Sequence, residues 1–151
     1  MQSRTRESIA WLFPLTYVLH LCEEYWGGEG FPSWISRIAG VSFTKHEFLL
    51  LNSIAIVMMT VGAALIYKHS WRWLLTALGG IVLLNGLLHL VFSILTWSYS
   101  PGLISGVLCW MPLGLFTIYR QWSLAARRSF VIGVFLALGL HAVVSLLMLF
   151  A

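Results

Sequence analysis

The chain contains few charged residues, and acidic ones are the scarcest. Only five of its 151 residues are Asp or Glu and 9% are charged, whereas 60% are hydrophobic. A soluble globular domain carries about 25% charged residues, so this composition excludes a protein whose surface is mostly wetted by water. Long apolar stretches recur along the chain, each near the roughly 20 residues that a helix needs to cross a bilayer. We therefore predict an all-α, polytopic membrane helical bundle that forms a single domain, with five spans at about 8–25, 47–67, 73–97, 102–119 and 129–150.

Cysteine is almost absent as well. The two cysteines, Cys22 and Cys109, both fall inside predicted spans. Their number and spacing exclude a disulfide framework and a cysteine-based metal site. We interpret both as small apolar helix residues.

Basic residues outnumber acidic ones, which gives a net charge of +4, and they lie between the predicted spans. Seven of the nine flank the same end of the bundle: Arg4, Arg6, Lys68, Arg72, Arg120, Arg127 and Arg128. Because cytoplasmic loops are enriched in Lys and Arg, this bias predicts a cytoplasmic N-terminus and an external C-terminus. No basic run suits nucleic acid, so we expect membrane lipids and no nucleic acid as partners.

A few polar residues lie inside the predicted spans, where a charged side chain costs about 2.5–3.5 kcal/mol on insertion scales. They are His20, Glu23, Glu24, Asn52, Asn85, His89 and His141. In the predicted topology, His20 lies about 18 Å past the inner edge of the first span, and His89 lies about 24 Å past Trp73. Both therefore fall in the outer half of the bilayer, level with the Tyr99–Gly102 segment. This common depth predicts one shared site.

The spacing of these residues favours metal or acid–base chemistry. Residues three or four positions apart share a helix face, which groups the ionisable residues of the first span and those of the third. Imidazole and carboxylate groups suit Zn, Fe or Mn, and two adjacent carboxylates also divide acid and base roles when one pKa is raised. The predicted ligands of a divalent metal are His20, Glu23, Glu24 and His89, and the catalytic candidates are these four together with Asn85 and Tyr99.

Each of these features also has a purely structural interpretation. The acidic pair would cap the first span at the interface, the polar residues of the third span would hydrogen-bond between helices, and the Tyr-x-Pro-Gly segment would be only a turn. We interpret His141 as a core residue, and His46 and Glu47 as a solvated helix start, and their membership of the site is left open. The loop before the second span has apolar residues at helical spacing, which predicts a short interfacial helix or a lid.

Three short motifs resemble those of a known family. "HLCEE" (His20–Glu24), "NGLLH" (Asn85–His89) and "YSPG" (Tyr99–Gly102) are similar to the motifs of the HXXEE family of small bacterial integral membrane proteins, and they stand in the same order. The resemblance covers roughly residues 11–119. It implies a bacterial inner-membrane location and adds Pro101 and Gly102 to the functional positions. The family has no established activity to carry over.

Our leading hypothesis is a membrane-embedded enzyme, metal-dependent or acid–base, with its site in the outer half of the bilayer. Its substrate would be apolar or lipid-like, an inference that rests on burial alone. Two alternatives use the same residues: a small ion- or proton-coupled transporter or binding protein, and a non-catalytic membrane partner protein. The sequence leaves the oligomeric state open, a homo-oligomer included.

Overall fold

A computed structural model describes residues 8–150, with side chains to residue 148. Within that range the chain is all-helical. Its six helices are α1 Leu12–Trp26, α2 Phe31–Ala39, α3 Lys45–His69, α4 Arg72–Thr96, α5 Leu103–Leu124 and α6 Arg127–Phe150. The predicted all-α fold is confirmed. Arg4 and Arg6, which contributed to the predicted orientation, lie outside the described residues.

Four of these helices, α3 to α6, are long and apolar enough to cross a membrane. They match the second to fifth predicted spans and are those expected of a multi-pass integral membrane protein. The first predicted span is matched only in part, because α1 has fifteen residues and follows the 3-10 turn Ser8–Trp11. Pro14 lies in the first turn of α1, where its missing N–H removes no helical hydrogen bond.

The central helix is α4, which packs against α3, α5 and α6. Glycines let these backbones approach closely. A Cβ on Gly133 of α6 would lie 2.4 Å from the carbonyl oxygen of Trp73, and one on Gly86 of α4 would lie 2.8 Å from that of Gly106 on α5. Such small-residue contacts are typical of helix packing in membranes, where close backbone approach replaces the hydrophobic driving force.

The short helix α2 lies against the end of the bundle where α1 and α4 finish. Trp34 is only 2% exposed, and its Nε1 donates a hydrogen bond of 3.3 Å to Ser98 Oγ just beyond α4. The ring centroid of Phe31 lies 5.7 Å from that of His89. The predicted short helix is therefore present, and its aromatic face covers the site described below.

The start of α3 agrees with its predicted solvated character. Thr44 and Glu47 form a capping box, in which each side chain accepts a hydrogen bond from the other residue's backbone N–H. His46 between them is exposed. These interactions satisfy backbone donors at the start of α3 and give Glu47 a structural role as part of the helix cap.

Candidate functional site

Three of the predicted residues converge on one point. Oε1 of Glu24 lies 3.3 Å from Nε2 of His89 and 3.6 Å from Nε2 of His20. The three potential ligand atoms all lie within 4.8 Å of one another, and this is the group of His, Cys, Asp or Glu that could hold a metal within the described range. Two ligands of a tetrahedral zinc ion, at about 2.0–2.1 Å from the metal, stand about 3.3–3.4 Å apart. The two spacings from the Glu24 oxygen, 3.3 and 3.6 Å, are close to that geometry.

All three side chains are removed from solvent and lipid. His20 is 1% exposed, His89 4% and Glu24 6%. Nε2 of His20 is buried and has no hydrogen-bond partner among the described residues. A buried polar atom without a partner is unfavourable by about 1–3 kcal/mol, so this nitrogen is suited to a ligand.

Helical periodicity explains the contribution of α1. Tyr17, His20 and Glu24 are separated by three and four residues and therefore share one face of the helix. All three are buried. Glu23 is rotated by about 100° from its neighbour, and its carboxylate lies elsewhere.

Two serines orient the imidazoles from the far side of each ring. Nδ1 of His20 lies 2.8 Å from Ser105 Oγ, and Nδ1 of His89 lies 2.8 Å from Ser100 Oγ. Hydrogen bonding at Nδ1 leaves Nε2 of each ring directed at Glu24. Metal-bound histidines are usually held in this way by a hydrogen bond to the second ring nitrogen.

The Tyr99–Gly102 turn brings the backbone against both imidazoles. Gly102 has φ of 101°, a left-handed conformation that favours glycine. A Cβ there would lie 2.8 Å from Cε1 of His20 and 2.8 Å from Cε1 of His89. Only a glycine fits between the two rings, so this turn forms one wall of the site rather than serving only as a connection.

Glu23 is not among the converging atoms; it binds the beginning of α5. Its carboxylate accepts hydrogen bonds from the backbone N–H groups of Ile104 (2.8 Å) and Ser105 (2.7 Å). The Tyr99 hydroxyl donates a third, of 2.5 Å. A carboxylate at a helix N-terminus satisfies free backbone donors and interacts favourably with the helix dipole. Glu23 thereby joins α1 to the turn that carries Gly102.

The Tyr99 phenol is held as a hydrogen-bond donor. Burial and the hydrogen bond to Glu23 raise its pKa above the ordinary tyrosine value. The hydroxyl therefore stays protonated at neutral pH and keeps donating to the carboxylate.

Aromatic rings enclose the cluster. The indole of Trp110 stacks on the His20 imidazole, with ring centroids 3.7 Å apart, and its Nε1 donates to Thr16 Oγ1. Trp110 ends the π-helical turn Gly106–Trp110, a local irregularity that is frequent at functional sites. With Phe31 on the other side, these rings make the surroundings of the cluster largely apolar.

The remaining polar residues lie near the cluster without joining it. Asn85 lies one helical turn before His89, and its Oδ1 is buried without a hydrogen-bond partner among the described residues. His141 of α6 interacts electrostatically with His89 but is not in the group of converging ligands. Asn52 accepts a hydrogen bond from the Tyr17 hydroxyl and donates one to the Phe48 carbonyl, which is a packing role between α1 and α3.

A comparison with known families confirms the family resemblance. The profile of a family described as "protein of unknown function with HXXEE motif" matches residues 11–117. This chain belongs to the HXXEE family. No curated protein and no solved structure matches this HXXEE protein, so its site has to be interpreted from its own geometry.

Sequence reasoning missed several residues that shape the site. Ser100 lies inside the YSPG motif, but serine is common in turns, so its presence there does not indicate a contact with a histidine. Ser105 and Trp110 carried no pattern that distinguishes them from other residues of α5. Their contacts with His20 depend on how α5 leaves the turn, which periodicity does not reveal.

Proposed function

We propose that this HXXEE protein is a membrane-embedded enzyme whose centre is a divalent metal held by His20, Glu24 and His89. The convergence of their three buried ligand atoms, all within 4.8 Å of one another, is the observation that carries the proposal. Two imidazoles and one carboxylate suit Zn, Fe or Mn. Three protein ligands also leave a coordination position for water or substrate, as in catalytic rather than structural zinc sites.

The chain's own groups have distinct roles in this proposal. A bound divalent cation would supply Lewis-acid activation of a water or a substrate oxygen. Ser100 and Ser105 hold the imidazoles in their binding orientation. Glu23 and Tyr99 fix the turn, so we propose them as positioning residues rather than metal ligands or groups that contact substrate.

The substrate we propose is apolar or lipid-like. The rings of Phe31 and Trp110 beside the imidazoles support this, because they offer few polar partners to a hydrophilic molecule. A substrate would reach the cluster past α2, which covers it.

We also propose the five-span topology with a cytoplasmic N-terminus. The 3-10 turn and α1 together are about 30 Å long, close to the thickness of the hydrocarbon core. The basic residues Lys68, Arg72 and Arg120 at the opposite end from the cluster support an inner location for that end. The cluster would then lie in the outer half of the bilayer, in a bacterial inner membrane.

Acid–base chemistry without a metal is the second candidate. One carboxylate oxygen of Glu24 stands 3.3 and 3.6 Å from two imidazole nitrogens. This arrangement would also let the cluster hold and transfer a proton.

Metal analysis separates the two candidates. The purified protein is loaded with Zn²⁺, Mn²⁺ or Fe²⁺, passed through a desalting column and analysed by mass spectrometry for bound metal. We expect about one equivalent in the wild type and a loss in His89→Ala and Glu24→Gln. His46→Ala and Glu29→Gln are the matched controls, because both side chains are exposed and outside the cluster.

Two outcomes contradict the metal proposal. One is a wild type that retains no metal above background with any of the three cations, which leaves acid–base chemistry. The other is metal retention that is as strong in the cluster variants as in the controls, which would mean that the metal binds elsewhere in the protein.

A further inference from the structure

A cavity lined by both polar and apolar side chains lies at the opposite end of the bundle from the His–Glu cluster. It has a volume of about 230 Å³ and is formed by the 3-10 turn, the end of α3, the start of α4 and the last turns of α5. Pockets for drug-sized ligands measure about 300–1,000 Å³. This one is smaller and suits a compact polar group.

Two buried polar side chains line this cavity. Thr117 is 2% exposed and Gln121 is 5% exposed. Oγ1 of Thr117 and Oε1 of Gln121 are buried and have no hydrogen-bond partner among the described residues. Because buried oxygens are nearly always hydrogen-bonded, these two are available as acceptors for a hydrogen-bond donor at the cavity.

Two arginines line the same cavity. The guanidinium of Arg120 lies 5.6 Å from the ring centroid of Phe116, and Arg72 begins α4. Neither forms an ion pair with another of the described residues. Arginine is well matched to phosphate because its planar group donates two parallel hydrogen bonds.

The rest of the lining is apolar. Ile9, Ile66 and Leu75 lie beside the polar residues, and Trp71 precedes α4. A ligand here would place its anionic group at the arginines and its carbon skeleton against these side chains. Basic pockets between membrane helices are known to take lipid head groups.

We propose that this cavity binds a phosphate ester that carries a neighbouring hydrogen-bond donor. The phosphate would lie between Arg72 and Arg120, and a hydroxyl or ammonium group would donate to Gln121 Oε1. A phospholipid head group and a soluble glycerol phosphate share this chemistry. The site is independent of the His–Glu cluster and of any metal.

Native mass spectrometry of the full chain in detergent tests the proposal. One arm adds dioleoylphosphatidylglycerol, with dioleoylphosphatidylcholine as the lipid that lacks a donor, and the other arm adds sn-glycerol 3-phosphate. We expect affinity to fall about fivefold for each of Arg72→Gln and Arg120→Gln, as is usual for a basic side chain near anionic lipid. Arg127→Gln with Arg128→Gln is the matched control, since both arginines are exposed and do not line the cavity.

Two further variants test the buried oxygens and keep the proposal falsifiable if a charge change disturbs folding. Gln121→Met keeps nearly the side-chain size but removes the acceptor oxygen, and Thr117→Val removes only the hydroxyl. We expect weaker binding in both, with an unchanged unfolding temperature.

The outcomes separate the sources of the ligand. Tight binding of phosphatidylglycerol alone identifies a lipid head group, and displacement by glycerol phosphate identifies a soluble ester; both support the site. Binding of neither probe by the wild type overturns it. Equal losses in the cavity variants and the Arg127/Arg128 control, or equal affinity for both lipids, overturn it as well.

Discussion

The hydroxyl of Tyr99 donates a hydrogen bond of 2.5 Å to the carboxylate of Glu23, although 76 residues separate them in the sequence. This contact joins the HLCEE motif to the YSPG motif. It also gives the two adjacent glutamates different roles, because Glu23 binds the turn and the start of α5 while Glu24 faces the imidazoles. Glu23 therefore holds the turn and α5 in place around the site, whereas Glu24 contributes a potential ligand atom to it.

The first prediction concerns this contact. Glu23→Gln and Tyr99→Phe should each lower the free energy of unfolding by about 1.5–3 kcal/mol, as expected for a hydrogen bond to a charged group. The double variant should lose less than the sum of the two, since both changes break the same bond. Denaturant unfolding of all four proteins in detergent measures the coupling.

Glu29→Gln is the control for that cycle. Glu29 forms an exposed ion pair with Arg37, at 2.6 Å, and exposed pairs of this kind contribute little to stability. If the losses in the free energy of unfolding from Glu23→Gln and Tyr99→Phe simply add in the double variant, the contact between these two side chains does not stabilise the fold.

The second prediction concerns Gly102. Gly102→Ala should lower the free energy of unfolding by about 1–3 kcal/mol from backbone strain alone, and it should also abolish metal retention, because the new Cβ would displace both imidazoles. Gly40→Ala is the matched control for Gly102→Ala. Gly40 also has a positive φ, of 69°, but nothing lies within 4 Å of the added Cβ. Gly40→Ala should be strained and retain metal. Equal metal retention in both variants would contradict the role of Gly102.

The third prediction concerns the serines behind the imidazoles. Ser100→Ala and Ser105→Ala should each weaken metal affinity by about 10–100-fold, the usual effect of losing a hydrogen bond to a metal-bound histidine. Ser33→Ala is the control, because Ser33 is exposed on α2. Competition with a chelating dye measures the affinity. An unchanged dissociation constant in both variants would mean that the rings are oriented by packing instead.

The fourth prediction concerns packing between α4 and α6. Gly133→Ala should lower the free energy of unfolding by about 1–3 kcal/mol, as overpacking does, because its Cβ would lie 2.5 Å from Cβ of Thr76. Gly139→Ala in the same helix should be neutral or stabilising, since nothing lies within 4 Å of its Cβ. Unfolding by circular dichroism compares the two. Because Ala is the better helix former at both positions, a loss of similar size in both variants would show that the close contact of Gly133 with α4 does not decide the effect.

The fold was predictable to the extent that it depends on hydropathy and length. Four spans follow from runs of apolar residues bounded by loops, and their order is fixed by the chain. The length of regular helix in α1 was not predictable, because the change from 3-10 to α winding near Pro14 depends on local geometry.

For the site, the sequence motifs indicated which residues to consider, and the side chains of His20, Glu24 and His89 do lie together in the structure. The sequence grouped Glu23 with them, whereas its carboxylate binds backbone donors of α5.

The sequence by itself determined an all-helical chain of the multi-pass membrane type, because so few charged residues and such long apolar runs suit helices that cross a membrane. Tertiary structure alone decided which atoms meet. Successive helix residues differ by about 100° in direction, so only the packing of α1 against α5 and the contact with His89 of α4 select Glu24 over Glu23. The same packing brings in Ser100, Ser105 and Trp110, whose contacts depend on how the Tyr99–Gly102 turn directs α5.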